Sequence, residues 1–98
     1  MKPHCHLFFE TLGNRLKMDI IIALKESPLS VNELALGVKQ ERSKVSHALK
    51  SLLECSFVSS AKRGRQRIYS LNKKTITPLM NLVERHMKSY CTVCKRAG

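Results

Sequence analysis

The residue types able to do chemistry in this 98-residue chain collect at its two ends and in its middle. The ends hold His4-Cys5-His6 and Cys91-Thr92-Val93-Cys94. A Cys-x-x-Cys on a helical turn puts two sulfurs on one face, and two more thiolate or imidazole donors would complete a tetrahedral Zn²⁺ site. Unmetallated, the same pair could act as a dithiol. The opposing reading is that Cys91 and Cys94 only continue an apolar stripe and that His4 and His6 are solvated; both readings stand at this point. The middle holds charge. Lys39, Arg42, Lys44, Lys50, Lys62, Arg63, Arg65, Arg67, Lys73 and Lys74 face only Glu41 and Glu54, so residues 39–74 carry a formal +8 and the rest of the chain +3. Enzymatic chemistry has no foothold. There is no Ser/His/acid set in recognisable context, no phosphate-cradling loop among only four glycines, and no paired arrangement among the seven acids.

The net charge of +11 calls for a polyanionic partner, nucleic acid ahead of an anionic membrane surface. The longest apolar run, Ile20–Leu24, is far shorter than the ~20 residues that span a bilayer. The start of the chain, Met-Lys-Pro-His-Cys-His, has no apolar core of a secretory signal. A cytoplasmic protein with reduced or metal-bound thiols is therefore expected. An apolar fraction of 43% is that of a globular domain, and the length suits a single domain over residues 1–98. A chain this short buries only about two-thirds of its unfolded surface, so a second copy would add stability.

The elements that must position these residues are legible from periodicity. Helices are expected at about 4–12, 15–26, 31–38, 42–54 and 75–92, and strands at about 57–61 and 67–71. Pro3 can open the first helix, and Gly13-Asn14 separates it from the second. In the second, Leu16, Ile20, Ala23 and Leu24 share a face that Ile21 and Ile22 widen. Ser30-Val31-Asn32-Glu33 reads as a capping box for the third, with Val31, Leu34 and Ala35 inward and Gly37 near its end. The fourth puts Val45, Ala48, Leu49, Leu52 and Leu53 on one face and Ser43, Lys44, His47, Lys50 and Ser51 on the other. The two strands flank Lys62-Arg63-Gly64-Arg65-Gln66-Arg67, a hairpin tip of nearly continuous positive charge. The last helix carries Ile76, Leu79, Met80, Val83, Met87, Tyr90 and Cys94 at spacings of 3 and 4, a stripe that must pack on the domain or on a second copy. Cys55 reads as a small buried residue.

Two short helices joined by a polar turn and followed by a hairpin have the order of a winged helix-turn-helix, mainly α with a small β-hairpin. From about Phe8 to Met87 the chain resembles the ArsR-type winged-helix transcriptional regulators of prokaryotes and archaea. Gly13-Asn14-Arg15-Leu16-Lys17-Met18-Asp19-Ile20 is similar to the family's entry into its second helix. Val45-Ser46-His47-Ala48-Leu49-Lys50-Ser51-Leu52 resembles its recognition-helix pattern, with His47 one place before the family's common His. Leu53-Glu54-Cys55-Ser56-Phe57-Val58 stands where the family bends into the wing, and Arg65-Gln66-Arg67-Ile68-Tyr69-Ser70-Leu71 resembles the returning wing strand.

The resemblance implies a homodimer joined by its first and last helices, with paired recognition helices on a palindromic operator, and in many members a repressor released by a metal or another signal. The thiol pair that metal-responsive members carry before the recognition helix is absent, since those positions read Ser30-Val31-Asn32. A signal would then enter through His4, Cys5, His6, Cys91 and Cys94, with Zn²⁺ as the candidate ligand. Duplex DNA is the expected partner. Arg42, Ser43, Lys44, Ser46, His47 and Lys50 are expected on or near the DNA-facing helix, and Lys62, Arg63, Arg65 and Arg67 in the wing. The competing reading is a winged-helix module that binds a protein and uses its charge for solubility. A membrane role has little support, because a core and a dimer seam account for the apolar stripes.

Overall fold

The computed structural model describes residues 5–93. The chain runs α1 (Cys5–Leu12), α2 (Arg15–Glu26), β1 (Leu29–Ser30), α3 (Val31–Val38), α4 (Arg42–Glu54), β2 (Val58–Arg63), β3 (Gln66–Leu71) and α5 (Ile76–Tyr90). It is a winged helix-turn-helix: α3, a short turn and α4, followed by a wing. Helices α2, α3 and α4 fall where periodicity places them. Pro3 lies outside the described residues.

The helix ends are set by local chemistry. Asn14 Oδ1 accepts the Lys17 amide at 2.9 Å and opens α2. Ser30 and Glu33 form the expected capping box, with the Glu33 amide donating to Ser30 Oγ at 3.2 Å and the Ser30 amide donating to Glu33 Oε1 at 2.9 Å. Gly37 lies inside α3; the left-handed residue that ends it is Lys39, at φ 58°. Helix α4 ends in a full Schellman turn. The Phe57 amide reaches Leu52 O at 2.9 Å, the Ser56 amide reaches Leu53 O at 3.0 Å, and Ser56 holds φ 59°. Phe57, expected as the first residue of a strand, instead closes this turn and is fully buried, so β2 begins at Val58 and runs on to Arg63.

The sheet has three strands in the order β1-β3-β2, all antiparallel, rather than the two of a bare hairpin. The added strand pairs Leu29 with Tyr69 and Ser30 with Ile68. Two residues carry no alternation, so periodicity cannot announce them. Their effect is direct, because Ser30 is both the last residue of β1 and the N-cap of α3. The root of the wing is thereby tied to the helix-turn-helix.

The core is built by Ile20, Ile21, Leu34, Val45, Leu49, Leu52 and Phe57, all fully buried. Phe8 of α1 closes one side, its ring centroid 4.8 Å from that of Phe57. Two expectations about burial are overturned. Ile22, read as widening the core face of α2, is 51% exposed, because the rest of the core lies toward Ile20, Ile21 and Leu24. Cys55, read as buried, is exposed, because the Schellman turn sends Phe57 inward and leaves residue 55 outside the cap. Helix α5 is anchored by Ile76 and Met80, which are buried, and by Lys25 Nζ on α2, 2.7 Å from Glu84 Oε2. Beyond them Leu82, Met87 and Tyr90 are exposed. Among the described residues, no helix is long and apolar enough to cross a membrane.

Candidate nucleic-acid interface

Helix α4 presents a polar ridge because its apolar residues all turn inward. Val45, Ala48, Leu49 and Leu52 are buried against α2, α3 and the sheet, while Arg42, Ser43, Lys44, Ser46, His47 and Lys50 are exposed. At about 100° per residue, Ser43, His47 and Lys50 form the crest, Arg42 and Ser46 one flank, and Lys44 and Ser51 the other. A helix about 10–12 Å across has the width of the B-DNA major groove, about 12 Å.

The wing is equally specific in shape. Gly64 takes φ 65° at the first position of a two-residue loop whose flanking residues, Arg63 and Gln66, pair. That is the glycine-first hairpin turn that matches strand twist. Lys62 stands directly opposite Arg67 in the register, and Arg63, Arg65 and Arg67 are exposed with it. Like charges facing one another across strands are destabilising by a few tenths of a kcal/mol to about 1 kcal/mol. Arg67 is steadied by one hydrogen bond to Ser60 Oγ at 3.1 Å.

The wing and α4 converge. A notch of about 370 Å³ between the start of α3, the first turns of α4 and β3 is lined by Ser30, Asn32, Arg42, Ser46, Arg65 and Arg67, among others. Arg42 of α4, Arg65 of the wing turn and Arg67 of β3 thus line one cleft beside the ridge. Among the described residues the ion pairs are Arg15–Asp19 and Lys25–Glu84, and neither involves residues 39–74. The wing and ridge cations therefore meet no carboxylate among the described residues. The Glu84 carboxyl is held below its ordinary value, chiefly by the hydrogen bond from Lys25.

The terminal donor set is only partly in view. His4 and Cys94 lie outside the described residues, as does the side chain of Cys5. His6 is exposed on α1, and Cys91 is half-buried just past α5. Among the described residues no three His, Cys, Asp or Glu side chains gather as a metal site. Sequence reasoning also passed over Asn14 and Lys17. They reach the flank of α4 only through the fold, Lys17 Nζ donating to Ser51 Oγ at 2.9 Å across 34 positions of sequence.

Comparison with known proteins agrees with this architecture. Residues 14–60 match the family model described as bacterial regulatory protein, arsR family. The HTH-type transcriptional regulator NmtR of Mycobacterium tuberculosis is 31% identical over 72 residues, spanning 74% of this chain and 60% of that protein's length. The crystal structure of M. tuberculosis Rv0081 superposes over the whole of both chains with a TM-score of 0.83 at 26% identity. The homodimeric winged helix-turn-helix DNA-binding domain of Mb0332 from Mycobacterium bovis superposes with a TM-score of 0.74 at 14% identity, over 92% of this chain and 90% of that one. The matched family is one of regulatory proteins, not enzymes.

Proposed function

From the premise that this chain carries the ArsR-type winged helix-turn-helix of bacterial regulators, we propose that it is a homodimeric, sequence-specific DNA-binding transcription factor that acts as a repressor. The ridge of α4 enters the major groove, where Ser43, Ser46, His47 and Lys50 meet base edges and Arg42 and Lys44 meet phosphates. The wing lays Lys62, Arg63, Arg65 and Arg67 on the neighbouring backbone or minor groove, where Arg gains from the negative potential. Repression follows from occupancy, since a dimer seated on a duplex blocks access to it. The observation that carries the reading is the cation set of α4 and the wing, which meets no carboxylate among the described residues and of which Arg42, Arg65 and Arg67 line one cleft.

The test is binding to mixed-sequence duplex DNA, followed by in-vitro selection of the preferred site. Expected is an affinity that falls steeply with salt and a selected site with two-fold symmetry. No shift of duplex at low salt, with co-purification of an acidic protein, would establish the protein-binding module instead.

The signal input is assigned to His4, Cys5, His6, Cys91 and Cys94 on donor chemistry alone: thiolates and imidazoles suit Zn²⁺, and a Cys-x-x-Cys suits either metal or a reversible disulfide. Zinc content of the purified protein, compared with that of Cys91→Ser/Cys94→Ser, checks it. Equal metal content in both, with no redox dependence of DNA binding, leaves the terminal residues as packing.

A further inference from the structure

The cleft shared with the wing occupies one flank of α4. The other flank holds a second notch, of about 490 Å³, lined by Asn14, Lys17, Ser43, Lys44 and His47 together with Leu16 and Ala48. Its two walls come from α2 and α4, so it exists only because these helices pack side by side. Lys44 and Ser51 are seven residues apart and share this flank of α4. Ser51 Oγ accepts from Lys17 Nζ at 2.9 Å, which brings a second ammonium group onto the flank and leaves two of its three donors for another acceptor. Among the described residues no carboxylate lines this notch; Glu10 lines a neighbouring cavity that shares Asn14 and Lys17 with the notch and also includes Ser51.

A recognition helix in a major groove has a sugar–phosphate wall on each side. On the DNA-binding reading, the cleft lined by Arg42, Arg65 and Arg67 would face one wall. We infer that the notch between α2 and α4 holds a phosphodiester of the opposite strand, with Lys17 and Lys44 as its cations and the Asn14 side-chain amide as a neutral donor. This rests on the DNA-binding reading and deepens it, adding Asn14 and Lys17 of α2 to the interface. The two notches clamp the ridge between both strands and so fix how deeply α4 sits and how it is turned. Lys17 is a positioning residue here: it carries affinity without reading sequence.

Two variants test this on a mixed-sequence duplex of about 30 base pairs, titrated between 50 and 200 mM NaCl. Asn14→Asp keeps the helix cap, since Asp caps as well as Asn, and puts a negative charge into the notch. Expected is unchanged thermal stability with affinity lowered about fivefold or more. Lys17→Met keeps the aliphatic stem and removes the charge. It should reduce the salt slope by about 0.9 for each phosphate no longer neutralised, or about 1.8 for a dimer, and Lys17→Arg should restore it. Arg65→Ala serves as the control from the other flank. Loss of affinity in Arg65→Ala alone, with Asn14→Asp and Lys17→Met matching the parent in affinity and slope, overturns the inference and leaves the DNA-binding reading intact. A parent protein that does not bind duplex at 50 mM NaCl overturns both.

Discussion

Ser56 occupies a backbone region that suits glycine, with φ 59°, and it does so because the Schellman turn after α4 requires it. For an L-residue the left-handed region costs roughly 1–2 kcal/mol, part of which glycine returns as chain entropy in the unfolded state. Ser56→Gly should therefore stabilise the protein by about 0.5–1 kcal/mol, read as a higher denaturant midpoint; an unchanged or lower midpoint would refute it. The same turn aims Phe57 into the core and holds the base of the wing. Asn72 joins it there, its amide donating to Phe57 O at 3.0 Å and its side chain to Ser56 O at 3.0 Å. Among the interface residues, position decides which effect a substitution has. His47 sits on the crest of α4, and His47→Ala should change which sequences are selected while leaving non-specific affinity nearly unaltered. Arg65 sits at the wing tip, and Arg65→Ala should weaken all duplexes alike and lower the salt slope by about 1 for each phosphate it neutralises. Competition between selected and scrambled duplexes distinguishes the two. A uniform loss in His47→Ala would remove it from base reading.

At the scale of elements, α5 is held to the domain at one end and by one ion pair. The Glu84 carboxylate lies below its ordinary value chiefly because Lys25 donates to it; partial burial works the other way, and the charges of Lys25 and Lys88 add to the lowering. A depressed carboxyl in the folded state contributes stability above the unfolded value and loses it as pH falls through the folded one. Glu84→Gln should thus be less stable than the parent by a constant margin near neutrality, and that margin should close below the ordinary carboxylate range. Thermal melts of both proteins from neutral pH down to about pH 3 check this, and a margin that does not change with pH would show that the pair's charge contributes nothing. What the sequence made legible also follows element by element. The capping box at Ser30–Glu33 and the two faces of α4 are local patterns, and both stand in the structure as read. Strand β1 was not legible, because two residues have no period. The exposure of Ile22 was not legible either, since three consecutive isoleucines on α2 do not show which of them the rest of the core will cover. The notch formed with α2 joins residues about 30 positions apart, which no local pattern records.

The whole molecule is less compact than its length suggests. Its radius of gyration is 14.1 Å, whereas a 100-residue domain averages about 13 Å. Its first and last helices leave apolar side chains uncovered: Leu7 and Phe9 of α1 are 48% and 58% exposed, and Leu82, Met87 and Tyr90 of α5 are 54%, 39% and 76% exposed. Single exposed apolar residues are ordinary, but five large ones on the first and last helices suit a seam between two copies, for which about 800 Å² per partner is usual. Phe9→Glu/Leu82→Glu should convert a dimer to a monomer by native mass and weaken duplex binding by about 100-fold or more, because each half-site then binds alone. A parent that is itself monomeric at tens of micromolar would sink the proposal. Salt separates the protein seam from the duplex further. Each protomer carries +11, so two of them repel, and this repulsion is screened beyond about 10 Å at 0.1 M salt. Raising salt should leave the apolar seam intact or tighten it while it releases the duplex. A dimer that came apart with added salt in step with release of DNA would mean that ion pairs, not the α1 and α5 stripes, hold the copies together.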